Sequence, residues 1–117
     1  MLKPDSNPDS LSAQLIAYDQ AHIWHPYSTT PAPMDPIPIA SAAGVYLTLY
    51  DGTRIIDGMS SWWAAAHGHS HPALVEAAHT QIDTMSHVMF GGLTHEPAVR
   101  LAEKLISLTD DPLTTIF

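Results

Sequence analysis

Four short stretches hold most of the side chains that can do chemistry. Ser60-Ser61-Trp62-Trp63 sets two hydroxyls beside two indoles, and His67-Gly68-His69-Ser70-His71 alternates three imidazoles. Trp24-His25-Pro26-Tyr27 is an aromatic run stiffened by proline, and Met85, Met89 and Phe90 flank Gly91-Gly92. An indole offers a large rigid surface with one N–H donor, suited to flat or long apolar ligands. Neighbours on a strand face opposite sides, so one indole can pack inward while the other lines a cavity; from spacing alone the preferred reading is that both are core or interface residues. Alternate histidines on a strand share one face and suit zinc or nickel. This tract, however, runs straight into Pro72, where a helix favours its first residue. A loop or capping role is therefore preferred, and no metal site is expected. The Trp24–Tyr27 run reads either as an aromatic wall or as a dock for the N-terminal arm. Gly91-Gly92 reads as a left-handed helix end or as a place where backbone approaches a ligand or a partner chain. Ser60 and Ser61 lack the GxSxG elbow of a nucleophile. Neither paired carboxylates nor a phosphate-binding glycine loop stands out.

Composition narrows the field further. The 117 residues contain no cysteine, so disulfide frameworks, thiolate metal sites and cysteine nucleophiles are excluded. Twelve acidic residues against four basic ones leave a formal charge of −8. Lys3, Arg54, Arg100 and Lys104 cannot form a phosphate-tracking patch, so nucleic acid is not an expected partner. No apolar run approaches the roughly 18 residues of a membrane span. The opening MLKPDSNPDS reads as neither a secretory signal nor a transit peptide. The expectation is a soluble, cytoplasmic protein or a piece of one.

The elements that must position these stretches follow from periodicity. Seven of the ten prolines lie at or before Pro38, which predicts an irregular arm ahead of a compact α/β segment. Leu15, Ile16, Asp19 and His22 predict a helix from about Ser10 to Ile23, capped by Ser10 or Ser12 and over before Pro26. Residues 28–38, with four prolines, read as extended or looped. Pro38–Gly44 and Val45–Tyr50 read as strands, with Val45, Leu47 and Leu49 on one face and Tyr46, Thr48 and Tyr50 on the other. Asp51-Gly52 signals a two-residue turn into a strand at Arg54–Asp57, giving a hairpin over 45–57. Pro72 opens an amphipathic helix to about residue 86, carrying Leu74, Ala77, Ala78, Ile82 and Met85. Thr94 is placed to cap a third helix, with Pro97 in its first turn and a Glu96–Arg100 pair. Its expected buried stripe is Ala98, Leu101, Ala102, Leu105 and Leu108. Leu113–Phe117 reads as a strand opening an α/β sheet that continues, so the chain is expected to be the N-terminal part of a longer protein.

Three blocks, in order, carry a family resemblance. They are His22-Ile-Trp-His-Pro-Tyr27, the run from Asp57 through Ser60-Ser61-Trp62-Trp63 to Pro72, and Met85-Ser-His-Val-Met-Phe-Gly-Gly-Leu-Thr-His-Glu-Pro97. Over about residues 15–117 the sequence resembles the adenosylmethionine-8-amino-7-oxononanoate aminotransferases, the diaminopelargonic acid synthases of biotin biosynthesis. The resemblance implies the N-terminal part of a fold-type-I transferase that uses pyridoxal 5'-phosphate. Residues 1–58 are then the arm and part of the small domain, and 59–117 the start of the large cofactor domain. It further implies a homodimer with its sites at the dimer interface. The amino group of S-adenosylmethionine passes through the cofactor to 8-amino-7-oxononanoate, giving 7,8-diaminononanoate. Trp62 and Tyr27 match substrate-site positions, with Pro26 and Trp63 as neighbours in the same wall. Met85, Met89 and Gly91 match positions that reach the site across the dimer interface. The family's catalytic lysine has no counterpart, because Lys3 lies in the tail and Lys104 on a charged helix face. The 117 residues alone are thus expected to be inactive. Rival readings are another class III omega-aminotransferase, a histidine-rich metal module, and an interaction domain using the tryptophan pair.

Overall fold

The computed structural model describes residues 7–117. Helix α1 spans Pro8–His22. It starts earlier than either serine would start it, because Asn7 is the cap: its side-chain oxygen accepts the Asp9 N–H at 3.2 Å. Proline at the head of the helix fits, since the first turn needs no donor from its own N–H. The helix closes where Ile23, in extended conformation, donates its N–H to the Asp19 carbonyl at 2.8 Å. The proline-rich stretch that follows carries no regular element until β1.

β1 (Ile39–Ala43), β2 (Tyr46–Leu49) and β3 (Arg54–Ile56) form an antiparallel sheet in the order β1-β2-β3. Ala42, Leu47 and Ile55 lie opposite one another across the three strands and are half-buried. Ile56 and Tyr46 pair on the other, more exposed face, where the Arg54 guanidinium lies 3.9 Å from the centre of the Tyr46 ring. The expected alternation of burial is only partly seen: Tyr46 is exposed and Leu47 half-covered, but Thr48, Leu49 and Tyr50 are all half-covered and Val45 is exposed. The β2–β3 loop is longer than the two residues Asp51-Gly52. Leu49 donates to the Thr53 carbonyl at 2.9 Å, leaving Tyr50, Asp51 and Gly52 as a three-residue loop. Gly52 supplies the left-handed position such a loop needs, with φ at 86°. The Thr53 N–H donates to the Asp51 carboxylate at 2.8 Å and lowers that carboxyl's pKa.

The chain divides into two compact units, the first ending at Glu76 and the second beginning at Ala77. Helix α2, Pro72–Thr84, opens on the proline as expected and runs through that division. In the second unit, α3 spans Glu96–Ile106. Its cap is His95 rather than Thr94, because the His95 carbonyl accepts the first helical bond, from Val99 at 3.3 Å. The His95 side chain makes no capping bond; its Nδ1 is buried without a partner. Arg100 reaches back to Glu96 at 2.7 Å.

Two further expectations are corrected. Leu113–Phe117 is not a strand. Strand geometry is held by ladder bonds to a neighbour, and none of the described strands pairs with it. The α3 stripe is not buried: Leu101, Leu105 and Leu108 are all exposed, and only Ala98 and Ala102 are half-covered. Among the described residues no side chain is fully buried anywhere. No helix among them is long and apolar enough to cross a membrane.

Candidate functional site

Between β3 and α2 the backbone does something no sequence period suggested. Ser60, Ser61, Trp62 and Trp63 all take positive φ, at 48°, 46°, 55° and 60°. Four successive L-residues in that region form a turn of left-handed helix, at a cost of about 1–2 kcal/mol per residue. Such a conformation persists only where its surroundings over-determine it. Here Trp63 and Ala65 donate to the Met59 and Ser60 carbonyls at 3.3 and 3.0 Å. The tryptophan pair is thus on a reversed turn, not on a strand, and its two indoles are not set on opposite faces of a sheet.

Trp62 packs edge-on against Tyr27, with ring centres 5.5 Å apart and planes inclined at 71°. Tyr27 is itself in the left-handed region, with φ at 58°, and the residue is 97% exposed. Pro26 lies beside it in a shallow cleft formed with Trp24, His25 and Ser28. The Trp24 indole N–H donates to the Ser28 carbonyl at 2.8 Å, closing that bend. Asp19 on α1 holds His25 at 2.7 Å and ties the bend to the helix. The structure therefore brings Tyr27 and Trp62 together. Trp63, 83% exposed, makes no ring contact with either.

The histidine tract has a different role from the one a strand would give it. His69 is the residue where the chain crosses the β1–β2 corner: its backbone exchanges two bonds with Gly44, at 2.9 and 2.8 Å. Its Nε2 meets the Asp57 carboxylate at 2.8 Å. The same Asp57 oxygen accepts the Ser61 hydroxyl at 2.8 Å. These bonds, His69 first and Ser61 second, hold the Asp57 carboxyl down to about 2 from its ordinary 3.8. Ser, His and Asp thus meet without forming a nucleophilic triad, because the serine proton goes to the carboxylate and not to the imidazole. His67 and His71 contact each other edge-on at 6.3 Å between ring centres. No group of three or more metal-ligating side chains occurs among the described residues. Neither Asp57 nor the left-handed turn was singled out from sequence; the crossing of β1–β2 by His69 is a long-range contact that no local pattern encodes.

Met85, Met89 and Gly91 lie in the second unit. Met85 follows α2, half-buried, and donates its N–H to the Gln81 carbonyl at 2.7 Å. Met89 is exposed. Helix α2 stops at Thr84, so the glycine pair is not its end. Gly92, not Gly91, takes the positive φ, and nothing lies within 4 Å of where a Cβ would stand on either.

Residues 27–117 match the class-III aminotransferase family, and the chain belongs to it. Among curated relatives, an adenosylmethionine-8-amino-7-oxononanoate aminotransferase of Buchnera aphidicola is 52% identical over 102 residues, covering 87% of this chain and 24% of the relative. The solved enzyme of that name from Methanocaldococcus jannaschii superposes with a TM-score of 0.80 at 31% identity, over 88% of this chain and 24% of that one. A taurine:2-oxoglutarate aminotransferase from Bifidobacterium kashiwanohense, solved with pyridoxal phosphate and glutamate, superposes at 0.74 with 28% identity, over 85% and 22% of the two chains. The chain spans about a quarter of the length of the curated relatives it matches.

A cofactor of that kind needs a desolvated lysine to hold it covalently. Among the described residues the one lysine is Lys104, exposed in the last turn of α3. The described residues therefore do not by themselves make a site for it. What they do make is an aromatic pair on a rigidly tied turn.

Proposed function

We propose that this chain is the N-terminal part of a pyridoxal-phosphate-dependent aminotransferase of biotin biosynthesis. Its substrates are S-adenosylmethionine as amino donor and 8-amino-7-oxononanoate as acceptor, with 7,8-diaminononanoate as product. The observation that carries this reading is the 52% identity to an enzyme of that name over 87% of the chain, including the three blocks that hold the aromatic residues. When bound, pyridoxal phosphate supplies the electron sink for amino transfer. The residues of this chain bind and orient. Tyr27 and Trp62 present a phenol and an indole in edge contact, surfaces that accept an adenine ring in one half-reaction and an aliphatic chain in the other. Pro26 and Trp63 extend that wall. The catalytic lysine belongs to the protein outside these 117 residues, so the 117 alone transfer no amino group.

The wider architecture belongs to the same reading. Residues 1–58 are the arm and part of the small domain, and 59–117 open the large one. The whole protein is a cytoplasmic homodimer, with Met85, Met89 and Gly91 reaching the substrate site across its interface. The test is an amino-transfer assay on the whole gene product, with 7,8-diaminononanoate read by mass spectrometry. S-adenosylmethionine is expected to serve as donor, and the 117 residues alone are expected to give no product. Turnover with omega-amino acids and none with S-adenosylmethionine overturns the reading in favour of another class III omega-aminotransferase.

A further inference from the structure

The left-handed turn needs something to hold it, and the molecule supplies a specific device. Asp57 leaves β3 with its N–H bonded to the Val45 carbonyl at 2.9 Å, so its backbone is fixed to the sheet. Its side chain is only 9% exposed, and the carboxylate takes one bond from within the turn, from Ser61, and one from outside it, from His69. His69 is in turn pinned to Gly44 through its backbone, and the adjacent Ser70 hydroxyl donates to the Ala42 carbonyl at 2.9 Å. The carboxylate thus joins three separate stretches: the sheet, the turn and the crossing segment. Asp57 and His69 also line a small cavity of about 120 Å3, together with residues that include Gly44, Val45, Ser60 and Gly68. Loss of the carboxylate's bonds would leave the turn free to relax toward ordinary right-handed backbone, which is favoured at every one of its four residues.

We propose that Asp57 and His69 are positioning residues that lock the Ser60–Trp63 turn in its left-handed form and so set the Trp62 indole against Tyr27. They touch no substrate; they act through Trp62. An ionised carboxylate can only accept, so His69 serves as the donor through Nε2–H, a role open to the neutral ring with its proton on that nitrogen and to the imidazolium alike. This inference rests on the aminotransferase reading for its kinetic consequence, not for its structural one.

The test uses the whole gene product and four variants. Asp57→Ala and His69→Ala remove the lock, while His69→Gln keeps an N–H donor on the side chain. Ser61→Ala removes one of the two donors and stands in if Asp57→Ala fails to fold. Asp57→Ala and His69→Ala are expected to raise the acceptor KM by up to ~10-fold, the range an aromatic pair contributes, with kcat held within about twofold. His69→Gln is expected to restore KM. Independently of substrate, the near-ultraviolet circular dichroism lost in Trp62→Phe is expected to be lost in Asp57→Ala and His69→Ala and regained in His69→Gln. A fall in thermal stability with KM and the Trp62 signal both unchanged overturns the proposal. If the parent protein does not use S-adenosylmethionine, the functional reading fails and the dichroism alone decides the lock.

Discussion

The segment from Asp57 to His71 and helix α3 are opposite solutions to the same problem of holding a backbone in place. In the first, each residue of the turn sits in a conformation it disfavours, and long-range bonds to Val45 and Gly44 compensate. In the second, each residue sits where its own propensity and neighbours put it. Pro97 falls in the first turn, Glu96 pairs with Arg100 one turn on, and Lys104 faces the negative end of the helix dipole. The turn depends on distant partners and presents an organised pair of rings. The helix is specified by contacts about one turn apart and leaves Leu101, Leu105 and Leu108 exposed. Helical order and the Tyr27–Trp62 contact are thus carried by different stretches of one short chain.

Substitutions in the whole gene product sharpen that contrast. The largest effect is expected at Gly68. Its φ is 81°, and an added Cβ would stand 3.2 Å from Gly44 backbone atoms. Gly92 has a similar φ of 84° with open space around it. Gly92→Ala should therefore cost only the backbone penalty of roughly 1 kcal/mol, and Gly68→Ala about 1–3 kcal/mol more, as read by denaturant unfolding. Equal losses at the two glycines would mean that the Gly44 crossing is not tight.

The next effect is one of acidity. Because the folded-state pKa of Asp57 is depressed to about 2 from 3.8, the stability it contributes is complete above the higher value and is lost as pH falls through the lower. The unfolding midpoint should drop between about pH 4 and pH 2, and Asp57→Asn should flatten that drop. The variant should keep a residual slope from Asp51, whose carboxyl is also lowered, by the Thr53 N–H. The smallest effect belongs to α3. Glu96→Gln breaks an ion pair whose side chains are both more than 70% exposed. Its cost should be about 0.3–0.5 kcal/mol and should vanish in high salt, a difference visible by thermal unfolding at two ionic strengths.

The parts legible in the sequence were those governed by neighbours a few residues apart. Pro72 opening α2, the β2–β3 hairpin and the Glu96–Arg100 pair were all expected and all stand. Local signals failed at the helix starts: Asn7 caps α1 where Ser10 or Ser12 was expected, because several nearby residues have side chains able to do so, and α3 begins after His95 through its backbone alone, with no side-chain cap for a sequence signal to report. They failed outright for the reversed turn. A left-handed segment is usually marked by glycine, and Ser-Ser-Trp-Trp contains none. The Tyr27–Trp62 contact is not encoded in spacing, because the two rings lie 35 residues apart and meet by way of intervening structure; the family resemblance pointed to both residues without predicting that they touch. The strand expected at Leu113–Phe117 had the right composition, but a strand exists only with a neighbour, and composition does not supply one.

The Gly44–His69 crossing closes a loop whose contents are largely spoken for: β2, β3, Asp57 and the left-handed turn lie between its two ends. The β2–β3 loop at residues 50–52 lies outside those elements, and closure entropy costs only about 0.6 kcal/mol for each doubling of a loop's contour. At the crossing itself a methyl group at residue 68 would stand 3.2 Å from Gly44 backbone atoms, so main chain must shift to admit it. Added length is thus best absorbed at the hairpin tip, and added bulk least well at that single intersection.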